Sequence, residues 1–175
     1  MLFIRGSFRV APIGFYVGLL VAFVLGAVLS FSIFGGKKGI LWSMRLLLVE
    51  YLVWLFSSTL LFRTTLAERT ILLNPIKFFH AFQKGNLFSL TECMMNVAAF
   101  IPLGLLLGAS WGKMKWEKVL MLGCLVSVVI EFFQFVLKRG VAEMADVLYN
   151  VLGCMIGYGL YVGIDCLAKR VAKGL

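Results

Sequence analysis

IGFYVGLLVAFVLGAVLSFSIF, from Ile13 to Phe34, carries no charged residue and no proline. A helix rises about 1.5 Å per residue, so this run is long enough to cross about 30 Å of hydrocarbon. Arg5 and Arg9 precede it, the pattern of a signal segment. The run is longer than a usual signal core and lacks a clear small-x-small cleavage site, so a retained helix is expected.

Working outward, four more apolar runs follow: Ile40 to Phe62, Leu87 to Ser110, Lys118 to Leu137 and Ala145 to Leu167. Their lengths predict an all-α polytopic membrane protein, a bundle of about five transmembrane helices. The composition agrees. Apolar residues make up 62% of the chain, charged residues 14%, and the mean hydropathy is +1.00. A soluble core within 19.5 kDa cannot hide that much apolar surface. The 175 residues are expected to form a single transmembrane domain, 1–175.

The net charge is +9 and the isoelectric point near 9.7. The basic residues sit between the apolar runs, as at Lys37-Lys38, around Lys113 to Lys118 and at Lys169 to Lys173. They read as anchors against anionic headgroups, with membrane lipids as partners and no nucleic acid. Cys93, Cys124, Cys154 and Cys166 form no C-x-x-C pair and read as small buried hydrophobes. No cofactor is expected.

Arg63 to Asn86 is a longer polar connection. Within it Asn74-Pro75 resembles a helix start and Gly85 a stop. Lys77, His80 and Lys84 share one face, and Ile76, Phe79 and Phe82 lie largely opposite, which predicts a short interfacial helix. His80, the only histidine, reads as a headgroup contact. Pro102 interrupts the third run and is expected to kink it. Gly104/Gly108, Gly153/Gly157 and Gly159/Gly163 have the G-x-x-x-G spacing of close helix packing.

The residues that carry chemistry are those out of place in lipid. A charge near the bilayer centre costs about 2.5–3.5 kcal/mol on insertion scales, so such groups face a partner or a cavity. In the fourth run Ser127, Glu131 and Gln134 fall on one stripe, with Arg139 just beyond the end. In the fifth, Asp146 and Asn150 share a stripe, with Glu143 ahead of them. In the third, Glu92 and Asn96 are a turn apart. Because five helices alternate direction, all these groups converge on one leaflet, beneath Arg63, Arg69 and His80. Acids, amides and guanidinium groups together make a headgroup or phosphate pocket. They equally make a polar network that locks three helices. Both readings stay open. A carboxylate metal site from Glu131, Glu143 and Asp146 has no specific spacing behind it, and no metal is assigned.

NVAAFIPLGLLLG (Asn96 to Gly108), IEFFQ (Ile130 to Gln134) and RGVAEMADVLYNVLGCMIGYGL (Arg139 to Leu160), in that order, resemble the VanZ-like family. RTTLAERTILLNPIKFF (Arg63 to Phe79) resembles that family's Arg-rich lead into an Asn-Leu-x-Pro-like segment. The resemblance covers about 63–160. It implies that Asn96, Pro102, Gly104, Glu131, Gln134, Arg139, Asp146, Asn150 and Gly153 are the matching positions. Glu143-Met144-Ala145-Asp146 departs from the family's Asp-x-Asp-Asp by one missing acid at Ala145, and Leu73-Asn74-Pro75 departs from Asn-Leu-x-Pro.

The resemblance further implies a multi-pass protein of the bacterial cell membrane with a role in the cell envelope, low-level resistance to the glycopeptide teicoplanin being one phenotype linked to the family. On this reading Asn96, Glu131, Gln134, Arg139, Asp146, Asn150, Arg63 and Arg69 bind a lipid-linked envelope precursor or a lipoglycopeptide. The alternative is a membrane enzyme acting on a lipid headgroup, with Glu131 or Asp146 as general base and Arg139 holding an anion; no nucleophile–His–acid order supports it. A transporter or scaffold, including a homo-oligomer, is a third class, although no inverted repeat is visible. Basic residues divide nearly evenly between the two sides. The denser short loops favour a cytoplasmic C-terminus and a polar cleft facing outward.

Overall fold

The computed structural model describes residues 13–174, apart from the side chains of Lys77, Phe78 and Ala81. The expectations placed on Arg5, Arg9 and the Lys77 side chain lie outside these described residues. Each apolar run becomes a helix: α1 Ile13–Phe34, α2 Gly36–Phe56, α4 Leu87–Trp111, α5 Trp116–Leu137 and α6 Met144–Ala172, with the short α3 Lys77–Gln83 between α2 and α4. The five long ones are long and apolar enough to cross a membrane. The protein is a multi-pass membrane protein. Its large exposed side chains, from Val17 on α1 to Leu160 on α6, form a lipid-facing coat.

α4 and α6 form the tightest pair, and glycine explains why. A Cβ on Gly153 would run into the carbonyl of Val97, one on Gly157 into that of Ile101, and one on Gly104 into that of Cys154. Only hydrogen in place of a side chain lets the two backbones touch. The matched steps of Gly153 with Val97 and Gly157 with Ile101 show the helices running parallel, so both begin at the same end of the bundle. Gly108 instead lies under the ring of Tyr161. Gly163 has no neighbour near enough to need a glycine, so the Gly159/Gly163 pair packs no helix pair among the described residues.

Phe100, Leu103 and Leu107 of α4, Ile130 of α5, Cys154 and Tyr158 of α6, and Leu48 and Leu55 of α2 form the core. α4 runs unbroken through Pro102. In the turn before the proline, the Tyr51 phenol of α2 donates to the Ala99 carbonyl, tying α2 to the segment where the helix ladder loses a donor. Cys93 and Cys154 are buried as expected, but Cys124 and Cys166 are exposed on the lipid-facing surface, because they fall on the outer stripes of α5 and α6. α1 has no buried residue and rests chiefly on α2.

α2 ends in a π-helical turn, Ser57–Leu61. An extended strap, 62–73, then crosses the end of α5. Its strand β1 (Ile71–Leu72) pairs in parallel with β2 (Ala142–Glu143), Ile71 opposite Ala142 and Leu72 opposite Glu143. Asn74 acts slightly earlier than the sequence suggests. Its side-chain oxygen accepts from the Ile76 N–H at 3.1 Å and closes a turn over Pro75, and α3 starts at Lys77. His80 contacts Asn74, its Nδ1 3.3 Å from Nδ2.

Candidate functional site

The end of α5, the start of α6 and the strap enclose most of the residues singled out by sequence. Glu131 and Gln134 lie on the buried stripe of α5, and Asn150 on that of α6. They are 8%, 3% and 5% exposed, so the stripes that spacing predicts do face the bundle interior rather than acyl chains. The Asn150 amide donates to the Ser127 hydroxyl at 2.8 Å, a buried side-chain bridge between α5 and α6.

Glu131 Oε2 accepts from the backbone N–H of Glu143 at 2.9 Å. Glu143 is itself buried and is the capping residue from which α6 springs. An acid side chain on one helix thus satisfies an N–H at the start of the next, which has no helical acceptor of its own. Asp146, Glu143 and Arg63 are the charged groups close enough to act on the Glu131 carboxyl. Asp146 and Arg63 are both half-buried. Arg63 also packs on the loop between α5 and α6. A Cβ at Gly140 would stand 2.7 Å from Arg63 Nη1 and 3.4 Å from Gln134 Oε1, and the φ of 152° at Gly140 is what calls for glycine there. Gln134 donates through Nε2 to the Thr59 carbonyl at 3.5 Å, while its Oε1 is covered by protein and has no hydrogen-bond partner.

The other cations are engaged with backbone carbonyls. Arg139 Nη1 donates to the carbonyls of Leu61 and Arg63 at 2.9 and 2.8 Å. Lys138, in the left-handed conformation with φ 53°, donates through Nζ to Ala67 at 3.0 Å, and its carbonyl accepts from the Leu66 N–H at 2.7 Å. Arg69 reaches the Val136 carbonyl at 3.5 Å and lies over the Phe135 ring. These contacts stitch the strap over the last turn of α5, whose carbonyls lack helical partners. Arg69 and Arg139 therefore hold the roof of the site in place.

Asn96 is half-buried on α4, next to the Val97–Gly153 contact. Among the described residues no hydrogen bond joins it to the cluster, and His80 also lies apart from it. Ser127 and Glu143 stood among the converging residues in the sequence but not in the expected ligand set, and Gly140 was not singled out. Ser127 was visible on the Glu131 stripe. The Glu143 N–H that meets Glu131 and the Thr59 carbonyl that meets Gln134 are main-chain groups, which leave no mark on residue type. No three His, Cys, Asp or Glu side chains among the described residues are placed to hold a metal ion.

Fold and site together define a multi-pass helical membrane protein with a buried polar cluster at one end of its bundle, closed by a strap. The family model described as VanZ/LLP1 matches residues 42–167. The chain belongs to that family, and the match begins within α2, upstream of the 63–160 segment that carries the resemblance. Protein VanZ of Enterococcus faecium is 31% identical over 70 residues, which are 40% of this chain and 44% of that protein. The chain thus spans less than half the length of the curated relative it matches. No solved structure matches it.

Proposed function

We propose that the protein serves the bacterial cell envelope by holding the headgroup of an amphiphile, a lipid-linked envelope precursor or a lipoglycopeptide, at the polar end of the bundle. One observation carries this reading. Gln134 Oε1 is buried without a hydrogen-bond partner beside the guanidinium of Arg63, in a cluster that also holds Glu131, Asp146 and Asn150. Buried polar atoms are normally satisfied, and an exception marks a place for a ligand group or a water. Arg63 supplies the fork suited to a phosphate or carboxylate. Gln134 and Asn150 supply amides suited to sugar or peptide polar groups, and the acyl chain of the amphiphile lies along the exposed apolar flank of α5, at Phe132 and Val136.

The cleft faces outward on this reading, so that an external lipoglycopeptide or a translocated precursor reaches it. The test is expression in a teicoplanin-susceptible host, with membrane levels measured alongside the inhibitory concentration. Arg63→Ala and Gln134→Leu should each remove any protection while the protein stays in the membrane. Direct binding of a fluorescent lipoglycopeptide to protein in lipid nanodiscs should fall in parallel. Unchanged binding in the doubly substituted chain would end the proposal. Cysteine labelling at position 113, on the opposite side from the strap, reports orientation. Labelling from outside the cell would place the cleft in the cytoplasm and exclude contact with an external antibiotic.

A further inference from the structure

Away from the polar end, α1 and α2 diverge to leave a groove. They touch at Gly26, where a Cβ would collide with Leu46, and α1 meets the start of the strap where the rings of Phe15 and Phe62 stand 5.4 Å apart. Between these contacts lies a cavity of about 220 Å³, walled by Leu19, Leu20 and Phe23 of α1 and Leu47, Tyr51 and Trp54 of α2. One charge-bearing residue, Glu50, lines it.

Glu50 is deep. It stands roughly 20 Å along α2 from Gly36 at 1.5 Å per residue. The adjacent Tyr51 bonds Ala99, near the middle of α4. Glu50 Oε1 is covered and has no hydrogen-bond partner. Arg45, the basic residue nearest to it along the same helix, is committed elsewhere. Its Nε donates to the Ser110 carbonyl at 3.3 Å, and its guanidinium lies 4.9 Å from the Trp42 ring centre and 5.9 Å from that of Trp111. An acid in the middle of a membrane helix defaults to a functional role, and nothing in the polar cluster uses this one.

The rest of the lining fixes the class of partner. Tyr51 and Trp54 have ring centres 5.3 Å apart, and Phe23 faces them across the cavity. Aromatic faces and a carboxylate together attract an organic ammonium centre, through the ring quadrupoles and by direct charge. A phospholipid carries its ammonium in the headgroup layer, far above this depth, so a lipid supplies only an acyl chain here. We propose that the groove between α1 and α2 binds a lipophilic organic cation, its ammonium centre against Glu50 and its apolar body against Phe23, Tyr51 and Trp54.

The test uses the full chain in lipid nanodiscs and radiolabelled dodecyltrimethylammonium at concentrations that leave the bilayer intact. A neutral analogue ending in a 3,3-dimethylbutyl group, the carbon counterpart of the ammonium, is the competitor. The expected result is saturable binding at one site per chain, at least tenfold weaker in Glu50→Gln, largely kept in Glu50→Asp, and displaced at least tenfold less well by the neutral analogue. Leu20→Trp, which fills the groove and leaves the acid in place, should also weaken binding tenfold or more. Equal affinity in wild type and Glu50→Gln, equal competition by the neutral analogue, or no saturable binding overturns the proposal. So does a dimer that dissociates in Glu50→Gln, which would make this face a contact between copies. If Glu50→Gln fails to yield folded protein, unchanged binding in Leu20→Trp overturns it.

Discussion

Replacing Glu131 by leucine should cost about 2 kcal/mol of stability, and replacing it by glutamine under about 1 kcal/mol, because the two changes treat the Glu143 N–H differently. That N–H is buried and gives its hydrogen to Glu131 Oε2 at 2.9 Å. Leucine fills the space but leaves the donor without an acceptor, and an orphaned buried polar group costs roughly 1–3 kcal/mol. Glutamine keeps an oxygen in the same place, so the N–H keeps an acceptor and only the quality of the bond changes. In a chain of this size 1 kcal/mol moves the melting point by roughly 2–4 °C, so leucine should lower it by about 4–8 °C and glutamine by less than about 4 °C. Thermal challenge of detergent-solubilised protein, followed by size exclusion, ranks the two variants against wild type. Equal losses would refute the reasoning, since attraction between Glu131 and Arg63, not the bond that starts α6, would then be the stabilising interaction. No loss in either variant would refute it as well.

Three further outcomes follow from the packing. Gly153→Leu and Gly157→Leu should abolish the folded monomer, because the new side chain meets the backbone of α4, whereas Gly163→Leu, with open space around it, should be within about 0.5 kcal/mol of wild type; the monomer peak in size exclusion reads this. Asn150→Leu should cost about 1 kcal/mol and make a second change, Ser127→Ala, nearly free, since the two side chains bond each other at 2.8 Å; a double-mutant cycle in mixed detergent measures the coupling. Arg139→Ala should free the strap, and limited proteolysis should then cut between Arg63 and Arg69 at least tenfold faster while the helices stay intact.

The five spans were legible because lipid imposes a length and a composition that few other solvents demand. Four of the five runs fall within two residues of the helix ends at which they begin, and α1 coincides with its run. The second helix starts earlier, at Gly36, because the Gly35-Gly36-Lys37-Lys38 turn winds directly into it. The convergence of Glu131, Gln134 and Asn150 was legible from spacing and alternation of direction alone. The strap was not. Its two-residue strand has no period to read, and it is held by Lys138, Arg139 and Arg69 through main-chain carbonyls, whose availability no residue name records. For the same reason nothing in the sequence showed that Arg69 and Arg139 fasten the strap through main-chain carbonyls.

The account rests on the strap carrying Arg63 onto the α5–α6 junction, so that polar groups buried in the bundle end meet one another. Cysteines placed at Ile71 and Ala142, which face each other across the parallel pair, in a chain otherwise free of cysteine, test this in native membranes. Mild oxidation should cross-link most of the protein within one chain, while a cysteine at Ile71 paired with one at Leu160 should stay reduced. Failure of the 71–142 pair to join, or equal joining of both pairs, would contradict the placement of the strap and with it the closed polar end.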